Sequence, residues 1–214
     1  MKNNYTCNCN HYDFSSKKFD YWEDKIITSD ELLITDYLKN NLKINNKKLL
    51  HIGIGNSYVY ERLKLNNTIY GITISNKEIE KAHSFKDKNY KVYYCDKISK
   101  EFKIIFKENK FDLIIDNNLK SYSCCANSFN FQFDNMVNLL RPCGSIITSR
   151  NGMNWFKNLK PKLTFNFKKF FHYRIKEIDG DNKNIFSIEE AKSLSRQLSL
   201  ELFYNDQICI FKKK

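Results

Sequence analysis

Leu49-Leu50-His51-Ile52-Gly53-Ile54-Gly55-Asn56-Ser57 is the stretch on which the reading of the fold turns. Its apolar run predicts a short buried strand over Leu49–Ile54, and Gly53 and Gly55 close it, where a Cβ would obstruct an approaching ligand. Tyr58–Leu65 then reads as a helix, so the unit is strand, glycine turn, helix. Outward from it the alternation continues. Asn67–Ser75 is rich in β-branched residues and precedes a helix over Asn76–Phe85 carrying Ile79 and Ala82; Tyr90–Cys95 is a third strand. Phe111–Asp116 is a fourth, buried strand, followed by a helix over Phe129–Leu140 that Arg141-Pro142-Cys143-Gly144 ends, and by a fifth strand over Ser145–Ser149. Strands alternating with helices predict an α/β protein with a parallel sheet covered on both faces.

Both flanks add to this core. Upstream, Ser29 is a candidate cap for a helix with an apolar stripe at Leu32, Leu33, Tyr37 and Leu38, ended by Asn40-Asn41 and placed like a lid. Downstream, Ser187 with Glu190 three residues on is a capping box opening a helix over Ser187–Ser199. Leu200–Tyr204 and Gln207–Phe211 around Asn205-Asp206 predict a closing hairpin. The organisation expected is an N-terminal helical cap over 1–46, a core over 47–149, an insertion over 150–181, and a final helix and hairpin over 182–214 that complete the core.

The 214 residues, 42% hydrophobic and 28% charged, fit one globular domain with decorations. No apolar run nears the ~18 residues of a membrane span, and no secretory leader is visible, so cytoplasmic location and no membrane association are expected. Seven cysteines without a CxxC pair fit reduced thiols. Cys7, Cys9 and His11 have no spacing typical of a metal site, and no metal is expected. The net charge of +12 rests on 31 Lys against 5 Arg, beside 27 Asn. A lysine-heavy excess is a weaker nucleic-acid signal than arginine would be. It is also local: residues 150–176 hold Arg150, Lys157, Lys160, Lys162, Lys168, Lys169, Arg174 and Lys176 without an Asp or Glu, interleaved with aromatic rings such as Trp155, Phe165 and Tyr173. That composition suits an anionic ligand, or an amphipathic cover with solvated lysines.

Two nucleotide motifs fail. A GxGxxG fingerprint needs glycine at Tyr58, and its acidic ribose contact about 20 residues on falls at Thr73. The GxxxxGK phosphate loop is absent.

The order of pieces resembles the class I S-adenosylmethionine-dependent methyltransferase family over residues 47–149 and, with the final helix and hairpin, most of the chain. The matching segments are the glycine stretch, Ile69–Glu78 (IYGITISNKE), Tyr94-Cys95-Asp96-Lys97, Phe111–Asn118 (FDLIIDNN) and Asn138–Ile147 (NLLRPCGSII). The GITIS wording is similar to the cyclopropane-synthase-like branch. The resemblance implies a three-layer Rossmann-like fold with a mostly parallel seven-stranded sheet and a closing antiparallel hairpin, and S-adenosylmethionine as cofactor. Carried over, Thr73, Ile74 and Glu78 would line the ribose, Asp96 with Lys97 would meet the adenine, and His51, Gly53, Gly55 and Asn56 would face the methionine end. Asp116 and Asn117 would be the catalytic pair, orienting or deprotonating the acceptor. The chain departs from the family pattern at His51 and Thr73, where an acidic residue is usual, and at Ser57, where a third glycine is usual.

The activity this implies is methyl transfer to a small, probable anionic acceptor, phosphorylated or nucleotide-linked. An RNA methyltransferase, an aminopropyltransferase-like enzyme and a non-catalytic S-adenosylmethionine-binding module are the alternatives. The acceptor and the oligomeric state are open from sequence.

Overall fold

The computed structural model describes residues 27–42, 44–117, 119–120, 123, 126–150 and 186–214. Its centre is a sheet of seven strands, β1 (Lys48–Ile52), β2 (Thr68–Thr73), β3 (Tyr90–Tyr94), β4 (Phe111–Asp116), β5 (Leu140–Ser149), β6 (Leu200–Tyr204) and β7 (Ile208–Lys213), in the order β3-β2-β1-β4-β5-β7-β6. The first five pair in parallel, and β7 runs antiparallel between β5 and β6. The expected parallel core and closing hairpin are both present.

Alternation along β1 sorts its side chains between two cores. Leu49 packs with Ile34 and Leu38 of α1 (Ser29–Asn41), Val59, Tyr60 and Leu63 of α2 (Tyr58–Leu63), and Ala82 of α3 (Asn76–Ser84). Leu50 and Ile52 belong to the opposite core, with Phe102 of α4 (Lys100–Ile105), Phe129 and Phe133 of α5 (Ala126–Leu139), and Ala191 and Leu194 of α6 (Ile188–Gln197). Helices on both faces make three layers. Chain order reverses between β1 and β4, so the crevice of such a sheet opens beyond the carboxyl ends of those strands.

Several boundaries differ from the sequence reading, each for a local reason. The cap of α1 is Thr28, not Ser29: its Oγ1 accepts from the Glu31 amide at 3.1 Å, and Glu31 Oε2 accepts from the Thr28 amide at 2.9 Å. That phase buries Glu31, Ile34, Thr35 and Leu38 and turns Leu32 outward at 39% exposure, so the buried stripe is half polar. Helix α4 has no counterpart in the sequence reading. β1 ends at Ile52, and Ile54 belongs to the loop. Arg141-Pro142-Cys143-Gly144 lies inside β5 as a bulge, with Cys143 at φ 62° and a register shift between Phe111 and Leu113. A Cβ on Gly144 would stand 2.9 Å from the Phe111 carbonyl oxygen, a backbone contact only glycine permits. Of the proposed cap and insertion, residues 1–26 and 151–181 lie outside the described residues.

Candidate cofactor and acceptor site

After β1 the chain takes three left-handed residues in alternation, Gly53 (φ 76°), Gly55 (φ 51°) and Ser57 (φ 63°). The loop is pinned to β2, since the Gly53 and Ile54 amides both donate to the Ile72 carbonyl, at 2.9 and 3.3 Å. A Cβ placed on Gly53 would meet nothing within 4 Å, so the residue faces open space at the carboxyl end of β1. Ser57 adopts without a glycine's freedom a conformation that costs an L-residue about 1–2 kcal/mol. Its hydroxyl gives something in return, accepting from the buried Tyr90 hydroxyl at 2.9 Å. Asn56, between them, is half-buried.

The loop's other neighbour is a carboxylate. Ser75 caps α3, and Glu78 in its first turn reaches back to the end of β2, where the Thr73 hydroxyl donates to Oε2 at 2.5 Å and the Gly55 amide donates to the same carboxyl group. Burial raises the Glu78 pKa, and those two bonds oppose the rise. Ile74 is half-buried beside Thr73. Asp96, just past β3, accepts from the Ile98 amide through Oδ1 at 3.0 Å and is also half-buried. Thus Gly53, Gly55, Asn56, Thr73, Ile74, Glu78 and Asp96 all lie at the carboxyl edge of β1, β2 and β3.

His51 sits one pair deeper, opposite Gly71 on one side and Ile115 on the other, and is 2% exposed. Burial lowers its pKa to about 4, so the ring is neutral near pH 7, and Nε2 meets no hydrogen-bonding partner. A neutral imidazole stands where a carboxylate is usual.

At the end of β4, Asp116 is 1% exposed and held in an ion pair: Lys97 Nζ lies 2.9 Å from Oδ2 and also donates to the Leu119 carbonyl at 3.4 Å. Gln132 Nε2 of α5 reaches the same Oδ2 at 3.4 Å and the Leu119 carbonyl at 3.2 Å. Lys97, expected against the cofactor, therefore turns its ammonium to Asp116. Asn117 keeps its buried Oδ1 without a partner.

No family model and no curated protein sequence matches the chain. Solved structures do. The N-methyltransferase NodS from Bradyrhizobium japonicum WM9, in complex with S-adenosyl-L-homocysteine, superposes with a TM-score of 0.54 at 14% identity, over 85% of this chain and 84% of that one. A TehB-like S-adenosylmethionine-dependent methyltransferase from Corynebacterium glutamicum gives 0.55 at 14%, over 84% and 87%. This is the fold of the class I methyltransferases. The cyclase SpnF also shares it, with a TM-score of 0.53 at 15% identity over 80% of this chain and 57% of that one.

Within the class I methyltransferase fold, sequence reasoning missed Glu31. Its carboxylate lies on the sheet-facing side of α1 at 2% exposure, and burial, with the charges of Glu78 and Asp30, raises its pKa. The signal was available as Thr28-x-x-Glu31, the spacing that also opens α6 at Ser187 and Glu190. A cavity of about 470 Å³ lined by Lys47, Lys48, Thr68, Tyr70 and Arg141 sits at the opposite, amino ends of β1 and β2. Its cations are committed, Lys48 Nζ to Asn109 and Arg141 to Asp112, and it is remote from the glycine loop. Among the described residues no group of His, Cys, Asp and Glu is placed to hold a metal, and no helix is long and apolar enough to cross a membrane.

Proposed function

We propose that this chain transfers the methyl group of S-adenosylmethionine to a small acceptor. The observation that carries the reading is the Glu78 carboxylate, tied to both the glycine loop and the end of β2, where the fold needs an acceptor and the sequence offers only Thr73. The residues fit that cofactor. Its two ribose hydroxyls, adenine amino group and cationic methionine end all require acceptors, which Glu78 and Asp96 supply in a region where Gly53 leaves room. When bound, the cofactor supplies an electrophilic methyl group on a sulfonium centre.

The chain's own part is holding and orienting. Glu78 accepts from the ribose, Asp96 from the adenine amino group, and the Gly53–Gly55 backbone follows the methionine end. Asp116, held by Lys97 and Gln132, is an orienting group rather than a mobile base, since its Oδ2 already carries their donors. The buried, unpartnered Asn117 Oδ1 accepts from an N–H or O–H of the acceptor. A small, anionic acceptor is supported by the eight cations and no carboxylates of residues 150–176, which follow β5 on the acceptor side.

Calorimetric titration with S-adenosylmethionine and S-adenosylhomocysteine tests the cofactor. Micromolar binding, about −8 kcal/mol, is expected; no heat and no thermal shift with either would end the proposal. Transfer to phosphorylated amines and alcohols tests the acceptor.

A further inference from the structure

Two carboxyl groups from different elements meet near the glycine loop. Glu31 comes from the first turn of α1 and Glu78 from the first turn of α3, and each acts electrostatically on the Tyr90 ring that bonds Ser57 at the loop's end. Burying one carboxylate is costly, and burying two that repel each other is more so. Structural ion pairs solve this with a cation. Here the charges acting on Glu31 are both anionic, from Glu78 and Asp30. The neighbouring cations have other work: Arg62 of α2 is paired with Asp36, and Arg150 at the end of β5 acts on Cys209. His51 on β1, on the same sheet face as Leu49, is neutral.

We infer that Glu31 is a binding residue for the cationic methionine end of the cofactor, supplying from α1 the negative charge that the class I pattern places at position 51 of β1 and that His51 lacks. The inference rests on the cofactor reading above. Glu31 is held in place by the Thr28 cap, whose amide and hydroxyl both donate to Oε2, at 2.9 and 3.0 Å. The capping box thus doubles as a clamp that points a desolvated carboxylate at the crevice. An arriving cation favours the ionised form of a carboxyl group whose pKa is raised in the free protein, so binding expels a proton to the solvent.

The test is titration calorimetry on the full chain at pH 5.5, in two buffers of different ionisation enthalpy, for the parent and Glu31→Gln. Glutamine still accepts from the Thr28 amide, so α1 keeps its cap. For the variant, S-adenosylmethionine affinity falls about tenfold, proton release on binding shrinks, and the melting temperature of the free protein rises because a repulsion is removed. An equal loss for S-adenosylhomocysteine assigns Glu31 to the ammonium; a loss confined to S-adenosylmethionine assigns it to the sulfonium. Either outcome supports the inference. Unchanged affinity and proton release in a folded variant overturn it while leaving the cofactor reading intact, and affinity lost together with melting temperature reduces Glu31 to a structural cap. A parent that binds neither ligand overturns both readings.

Discussion

Ser57 and Lys97 are the residues whose surroundings make the sharpest demands. Ser57 holds φ 63° and is the acceptor for a buried tyrosine hydroxyl. Ser57→Ala keeps the left-handed strain and orphans the Tyr90 hydroxyl, a loss of about 1–3 kcal/mol in urea unfolding. Ser57→Gly relieves the strain while losing the same bond, so it should be the milder change; a glycine variant as damaged as the alanine one would show that backbone strain contributes nothing. Lys97→Met is the harsher test. It leaves Asp116 charged and almost fully buried, at an expected cost of about 3–5 kcal/mol, whereas Lys97→Met with Asp116→Asn should recover much of it. If the double variant is no more stable than the single one, the pair is not the reason for the loss. At this scale the sequence shows which residues lie at strand ends, because a strand's last residue can be read from its pattern. It does not show their partners: that Lys97 answers Asp116, or that Glu78 bends back to Thr73, depends on a register between strands and helices that no local spacing encodes.

Elements are more legible than partners, and the exceptions share a cause. The strands over Phe111–Asp116 and Leu200–Tyr204 have the bounds their composition predicts. Helix α1 is out of phase because half of its buried face, Glu31 and Thr35, is polar, and a search for apolar stripes passes over polar residues that face the core. β5 is longer than expected because Arg141-Pro142-Cys143-Gly144, ordinarily turn chemistry, is absorbed as a bulge between paired strands. Packing between elements also reaches the glycine loop. In β2, Gly71 has no side chain where Ile54 of the loop comes in: a Cβ there would stand 2.5 Å from Ile54 Cγ2 and 3.3 Å from Val92 Cγ2. Gly71→Ala therefore pushes on the loop from beneath. We expect a stability loss of about 1–3 kcal/mol from overpacking, accompanied by weaker cofactor binding although residue 71 touches no ligand. Paired with Ile54→Val, which trims the opposing side chain, part of both losses should return; a Gly71→Ala protein of parent stability and affinity would show that the strand and loop are not in register.

Across the whole molecule, the buried ionisable groups pull stability in opposite directions with pH. His51 has a pKa near 4 in the fold against 6.5 when unfolded. Between those values the unfolded chain binds a proton that the folded chain refuses, so this group's contribution is intact above pH 6.5 and is lost as pH falls to 4, about 3 kcal/mol in all at roughly 1.4 kcal/mol per pH unit. Glu31 and Glu78 behave inversely: their folded pKa values are raised, so their contribution is whole below about 4.5 and is lost as pH rises through the folded values. The two trends overlap in the same acid window and partly cancel in the parent, which is why its own profile is a poor witness. The informative quantity is the difference between parent and variant, from which every other carboxylate drops out. Measured by urea unfolding at several pH values from 4 to 8, His51→Leu should gain on the parent as the medium is acidified, by about 3 kcal/mol between pH 6.5 and 4. Glu31→Gln should gain on it in the other direction, toward neutral pH. Parallel profiles for His51→Leu and the parent would mean that the imidazole is not held neutral by burial, and a carboxylate would then no longer be needed on α1 to replace a charge that β1 lacks.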